Sequence, residues 1–150
     1  MEDESKQKKF NSRFIYISIG FVLATLISWH FTYNTDHFLT TVKISSIGLF
    51  AWSVWEYNLL KYNHVYLKLL ALSLLLALTG YYFLLEEDAS TWLRVTKMSL
   101  CFLILFRVLR YFYILIYNRE PKLEKTKGRM ADRMFSFIVI AGTALVTMAI

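Results

Sequence analysis

Long apolar stretches separated by short polar segments set the pattern of this chain. They cover residues 14–33, 39–60, 66–85, 91–117 and 134–150. Each approaches the roughly 20 apolar residues that a helix needs to cross a hydrocarbon core of about 30 Å. The stretch 67–85 is almost continuously apolar, whereas membrane β-strands alternate apolar and polar residues. Because helices satisfy their own backbone hydrogen bonds in lipid, the pattern predicts an all-α polytopic membrane protein, a helical bundle of about five transmembrane helices.

The polar segments predict how the rest of the chain is organised. Residues 1–13 read as a charged cytoplasmic tail, and residues 14–150 as a single transmembrane domain. The longest connection, 118–133, is basic and contains Pro121 and Gly128. We therefore expect a cytoplasmic linker at 118–133 and no proline-kinked span.

Composition excludes several other classes of protein. Of the 150 residues, 57% are hydrophobic, 17% aromatic and 19% charged, whereas a soluble domain is about 45–50% apolar and a quarter charged. These values exclude a disordered chain and a disulfide scaffold. The single cysteine, Cys101, lies in the middle of a predicted span and is interpreted as a small apolar filler.

The distribution of basic residues predicts the orientation. Lysine and arginine are concentrated in the tail, in the connection after the second span and in the linker 118–133. By the positive-inside rule, the N-terminus is cytoplasmic and the C-terminus external. The net charge of +6 then reflects this bias and an attraction of 118–133 to anionic lipid headgroups, rather than nucleic-acid binding. We expect a multi-pass plasma-membrane protein, and its small size favours a bacterial cell membrane.

Several charged residues lie inside predicted spans, where they are costly. The candidate site residues among them are Glu56 in the second span and Arg107 and Arg110 in the fourth. Glu56 lies at a depth comparable to that of Arg110 near the inner end, and Arg107 lies deeper. Three explanations remain open: a Glu56–Arg107 or Glu56–Arg110 pair inside the bundle, arginines that snorkel independently to the interface, or the lining of an ion or substrate path.

Small residues recur at helical spacing and mark candidate packing faces. The first span has Gly20, Ala24 and Ser28 at four-residue steps, the third has Ser73 and Ala77, and the fifth has a cluster at 141–144 that includes Gly142. Either these faces bind a partner protein or a second copy of the chain, or they are used for packing within the monomer.

A second group of charges falls near the predicted outer surface. It consists of Asp36, Lys43, Arg94 and Lys97, close to the acidic run 86–88. A salt-bridge network is one interpretation, and separately solvated charges are the other. The three histidines lie near span ends with no convergent ligands, so the sequence predicts neither a metal site nor a cofactor.

No catalytic motif is present: the sequence contains no phosphate-binding loop, no HExxH and no GxSxG. We therefore expect a non-enzymatic subunit or accessory of a membrane assembly, which binds a membrane-protein partner or a second copy of itself. The alternative is a small oligomeric channel or transporter, in which Glu56, Arg107 and Arg110 line an inner vestibule for anions or protons.

Overall fold

The described part of the chain forms five α-helices in a computed structural model. The backbone is described for residues 2–32, 36–84, 90–121 and 130–149, and the side chains for 4–27, 30, 40–81, 93–121 and 130–149. The helices are α1 (Glu2–Thr32), α2 (Asp36–Trp55), α3 (Asn63–Leu84), α4 (Ser90–Tyr117) and α5 (Met130–Ala149). A short 3₁₀ turn, Tyr57–Leu59, follows α2. The predicted all-α class is thereby confirmed.

Four of these helices are long and apolar enough to cross a membrane. Their apolar segments are Glu4–Ile27 in α1, Asn63–Tyr81 in α3, Leu93–Tyr117 in α4 and Met130–Ala149 in α5. The helix α2, with 20 residues, is not in this set; it carries Lys43 and several hydroxyl side chains. The structure thus supports a membrane protein with four candidate spans.

Helix α4 lies at the centre of the bundle. It packs against α2, α3 and α5, while α1 packs against α2 and α3. Aromatic rings fill the contact between α2, α4 and α5. Phe50 meets Phe102 edge-on at 5.7 Å between ring centroids, and Tyr57 meets Phe106 in the same way at 4.9 Å. Phe135 of α5 completes this layer at 6.2 Å from Phe106.

A chain of buried serines joins three helices. Ser53 donates to the carbonyl oxygen of Leu49 at 2.8 Å, and its Oγ lies 3.2 Å from that of Ser99. Ser73 Oγ lies 2.8 Å from the same Ser99 hydroxyl. Because each hydroxyl has one proton, Ser99 donates to Ser53 and Ser73 donates to Ser99. The predicted small residue Ser73 is therefore used inside the monomer, between α2, α3 and α4.

The largest differences between helix ends and predicted spans are at the start of α1 and the end of α2. Helix α1 begins at Glu2, so the predicted tail 1–13 is largely helical. Acidic residues precede lysines by four positions there, as in Glu2–Lys6 and Glu4–Lys8, a spacing that stabilises helices, and the acids favour a helix N-terminus. Helix α2 ends at Trp55, five residues before the predicted limit of 60, because the chain turns at Glu56.

Candidate functional site at the polar end of the bundle

One end of the bundle, which we name the polar end, gathers charged and polar side chains from α1, α3, α4, α5 and the connections at their ends. It lies where α1 and α3 begin, α2 and α4 end, and α5 begins. The residues that form it are Asn11, Arg13, Glu56, Asn63, Lys68, Arg107, Arg110, Tyr113, Arg119, Glu120 and Asp132.

Glu56 pairs with Arg13, a residue of the predicted tail 1–13. Arg13 Nη1 donates to Glu56 Oε1 at 2.9 Å, and Trp52 Nε1 lies 3.4 Å from the same oxygen. The Glu56 side chain is 7% exposed and that of Arg13 is 50% exposed. A pair of Glu56 with Arg107 or Arg110, one of the three explanations that the sequence left open, is not among the ion pairs of the described residues. The turn after Trp55 directs the carboxylate towards α1 instead of α4.

Arg107 and Arg110 each have a partner close to the start or end of a helix. Arg107 Nη2 donates to Asn63 Oδ1 at 2.6 Å, and its guanidinium lies 5.0 Å from the centroid of the Tyr66 ring. Since Asn63 is the first residue of α3, the Arg107 guanidinium reaches the level at which α3 begins. Arg110 binds both carboxylate oxygens of Glu120, with Nε at 2.9 Å from Oε2.

A buried carboxylate at the start of α5 holds the turn after α4 in place. Asp132, 3% exposed, accepts a hydrogen bond from Tyr113 Oη at 2.5 Å and one from Arg119 Nη1 at 3.1 Å. Asn118 has a φ of 49°, a left-handed conformation that asparagine tolerates better than most residues. This conformation turns the chain at the end of α4 and lets Arg119 reach back to Asp132.

A buried tyrosine closes the polar end on its inner side. Tyr57, in the turn between α2 and α3, packs against Phe106 and Phe135. Burial is the main cause that raises the pKa of the Tyr57 hydroxyl above its ordinary value. The hydroxyl therefore stays protonated at physiological pH.

The predicted packing faces have different surroundings. Gly20 and Ala24 are exposed, and a Cβ added at Gly20 would meet no atom within 4 Å. The side chain of Ser28 lies outside the described residues, and Ala77 is half-buried. A Cβ on Gly142 would lie 2.9 Å from Leu105 Cδ2, so this position of α5 is used against α4.

Close contact between α3 and α4 depends on a glycine that sequence reasoning missed. A Cβ built on Gly80 would lie 2.7 Å from Thr96 Cβ and 2.6 Å from its Cγ2. Such contacts are shorter than real Cβ atoms show, and Thr96 is fully buried. Gly80 stands seven residues after Ser73 in the sequence, and this two-turn spacing on one face was the available signal.

The expected outer charge cluster remains a prediction. Lys43 is half-buried on α2, Arg94 is exposed and Lys97 is half-buried on α4. The Asp36 side chain and the acidic run 86–88 lie outside the described residues, as does the 122–129 part of the basic linker.

Among the described residues, no group of three or more histidine, cysteine, aspartate or glutamate side chains is placed to hold a metal ion. The contacts that the structure shows at the polar end are ion pairs and hydrogen bonds. Comparison of the chain with known protein families, curated proteins and solved structures finds no match.

Proposed function

We propose that this protein is a non-enzymatic subunit or accessory of a membrane assembly, and that it binds a transmembrane helix of its partner through the face of α1 that carries Gly20 and Ala24. The observation that carries the proposal is the open space at Gly20. A Cβ there would meet no atom within 4 Å, and both residues are exposed.

The other small residues provide the contrast. Gly80 is needed for the approach of α3 to Thr96, and Gly142 lies against Leu105. The folding of the monomer thus uses those positions and leaves Gly20 and Ala24 free. In lipid, helices associate through smooth faces of small residues that let backbones approach closely. An unused smooth face on α1 fits a second helix that is not part of this chain.

The sparse packing of α1 also favours this role. Only 6% of its apolar window is buried, compared with 44% of the window in α3. Phe10 anchors α1 by stacking on Trp52 at 5.7 Å. Beyond this anchor the helix has much of its surface free for lipid or for a partner.

We further propose that α2 crosses the membrane as well, which gives five spans, a cytoplasmic N-terminus and an external C-terminus in a plasma membrane. The polar end then faces the cytoplasm, in keeping with the positive-inside rule. Its basic residues Arg13, Lys68, Arg107, Arg110 and Arg119 support this orientation. The basic linker 118–133 follows directly and would lie against anionic headgroups.

A channel or transporter has less support from the geometry. The three residues proposed to line its vestibule have local partners: Glu56 has Arg13, Arg107 has Asn63, and Arg110 has Glu120. Such pairs stabilise the ends of helices and need no conducting path to account for them.

The test is native mass spectrometry of the full chain after gentle extraction from its own membrane. We expect a complex with a foreign membrane protein at fixed stoichiometry. Gly20→Leu should remove the partner, because the added side chain keeps the two backbones apart. Gly48→Leu is the matched control: Gly48 is also exposed with no atom within 4 Å of an added Cβ, but Ile44 and Trp52 flank it at four-residue steps.

Two results would contradict the proposal. One is a partner that stays bound to the Gly20→Leu variant as firmly as it does to the Gly48→Leu control. The other is a closed homo-oligomer without a foreign partner, which would favour the channel and call for flux measurements.

A further inference from the structure

A groove runs between α1 and α3, on a side of α1 other than the Gly20 face. Phe14 and Ser18 line it from α1, and Lys68, Ala71 and Leu75 are among the residues that line it from α3. Its volume is about 450 Å³, within the range of small-molecule pockets. At about 100° per residue, Gly20 lies roughly 200° around α1 from Ser18.

The groove has one charged end and an apolar length. Lys68 lies at the polar end, and its Nζ donates to Asn11 Oδ1 at 2.8 Å. From Lys68 the α3 wall continues through Ala71 and Leu72 to Leu75, a rise of about 10 Å at 1.5 Å per residue. A groove with a positive charge at one end and apolar walls along its length complements an amphiphile with an anionic head and a hydrocarbon tail.

The Lys68 ammonium has hydrogen-bond donors that the described residues do not use. It has three donors, of which Asn11 takes one, and among the described residues no carboxylate pairs with it. Its other contact is the Phe14 ring, 5.5 Å from the centroid. A phosphate oxygen at the mouth of the groove would supply the missing counter-charge.

Ser18, in the wall of the groove, differs from most other hydroxyl residues of the helices in its hydrogen bonding. Several other hydroxyls within helices donate to the carbonyl four residues earlier, as Thr25 does to Phe21 at 2.8 Å and Ser46 to Val42 at 2.7 Å. Ser18 Oγ is shielded from solvent and has no hydrogen-bond partner among the described residues. The wall of the groove thus contains one buried hydroxyl that no hydrogen bond among the described residues uses.

We propose that this groove binds one molecule of an anionic phospholipid, with an acyl chain along Ala71 and Leu75 and the phosphate at Lys68 Nζ. Both helices that form the groove are long and apolar enough to span a membrane, so lipid is present along its whole length. The site is separate from the proposed protein-binding face, and either can fail without the other.

The test is native mass spectrometry of the full chain in detergent, titrated with phosphatidylglycerol or with phosphatidylcholine of the same acyl chains. The wild type should retain one phosphatidylglycerol more tightly than phosphatidylcholine. Lys68→Gln should weaken this retention about fivefold, the effect expected of one basic group near an anionic surface, while Lys68→Arg keeps it. Ala71→Phe fills the groove and should abolish retention with Lys68 intact.

The matched controls are Lys97→Gln, which removes a lysine at the opposite end of the bundle, and Ala51→Phe, which enlarges an exposed alanine of α2. Both should bind phosphatidylglycerol as the wild type does. Unfolding temperatures identify any variant that fails to fold, and the charge and filling variants test the site independently.

Three results would overturn the proposal. Equal retention of phosphatidylglycerol and phosphatidylcholine would show that Lys68 does not recognise an anionic headgroup. Unchanged binding by a folded Ala71→Phe variant would place the lipid elsewhere. A bound polypeptide that Ala71→Phe displaces, with no change in lipid, would show that the groove takes a protein.

Discussion

Arg13 Nη1 lies 2.9 Å from Glu56 Oε1, and this pair joins the first helix to the end of the second. The two partners differ in exposure: the Glu56 side chain is 7% exposed, and the Arg13 side chain is 50% exposed. The pair is therefore asymmetric, because loss of the arginine leaves a buried charge, whereas loss of the glutamate leaves a solvated one.

This asymmetry predicts unequal costs of the two substitutions. Arg13→Gln should lower the free energy of unfolding by about 1–2 kcal/mol, since it leaves the Glu56 carboxylate without its cation. Glu56→Gln should cost less, and the double variant should resemble Glu56→Gln alone. Unfolding by sodium dodecyl sulfate from mild detergent micelles measures all three variants. A larger cost for Glu56→Gln would contradict the pairing.

The contact of Gly80 with Thr96 predicts a steric effect. Gly80→Ala places a Cβ 2.7 Å from Thr96 Cβ, so α3 and α4 must move apart, at a cost of about 1–3 kcal/mol. Thr96→Ala should relieve part of this cost by removing Oγ1 and Cγ2. Gly20→Ala is the control and should leave the unfolding of the isolated monomer unchanged, because nothing lies within 4 Å.

The buried Asp132 predicts a large effect at the start of α5. Asp132→Asn weakens the hydrogen bonds from Tyr113 and Arg119, and we expect a loss of about 1–3 kcal/mol in the free energy of unfolding. Glu120→Gln serves as the comparison, because Glu120 is 46% exposed and an exposed pair contributes up to about 1 kcal/mol. Equal losses for the two variants would show that Asp132 is not a structural anchor.

The hydrogen bond between Arg107 and Asn63 predicts that Arg107 has a structural role and does not serve ion transport. Purified protein in liposomes should show no anion or proton flux above that of protein-free liposomes. Arg107→Gln should instead lower the unfolding temperature, because it breaks the bond to Asn63 and the contact with Tyr66. Flux that this variant abolishes while its stability stays intact would support the channel.

The sequence predicted the helices far better than their charge pairs. Apolar runs identify helices because lipid demands continuous hydrophobicity and satisfied backbones. The apolar run does not show that α1 begins at Glu2, because a hydropathy pattern does not register a charged helical segment. Asp132 was missed because it stands in a polar linker, where nothing in the sequence shows that a side chain becomes buried.

Which side chains pair depends on how neighbouring helices are aligned along their axes, and amino-acid composition does not show this alignment. Arg13 and Glu56 lie at nearly equal distances along the chain from the connection at 33–35. In an antiparallel pair of helices, residues at equal distances from the connection lie side by side, and this rule would have matched Arg13 with Glu56. Comparable depth in the membrane brings Glu56 together with the arginines of α4, but residues at one depth on different helices need not face each other.

Unequal helix lengths have a consequence for the choice of membrane. With 28 residues α4 is about 42 Å long, whereas α5, with 20, is about 30 Å. With the proposed orientation, a hydrocarbon core of about 30 Å would match α5 and leave the last turns of α4, from Arg110 onward, among the headgroups. A thicker bilayer would draw the guanidinium groups of Arg107 and Arg110 towards the acyl chains. Hydrophobic mismatch at these two arginines would then make the stability of the bundle sensitive to bilayer thickness.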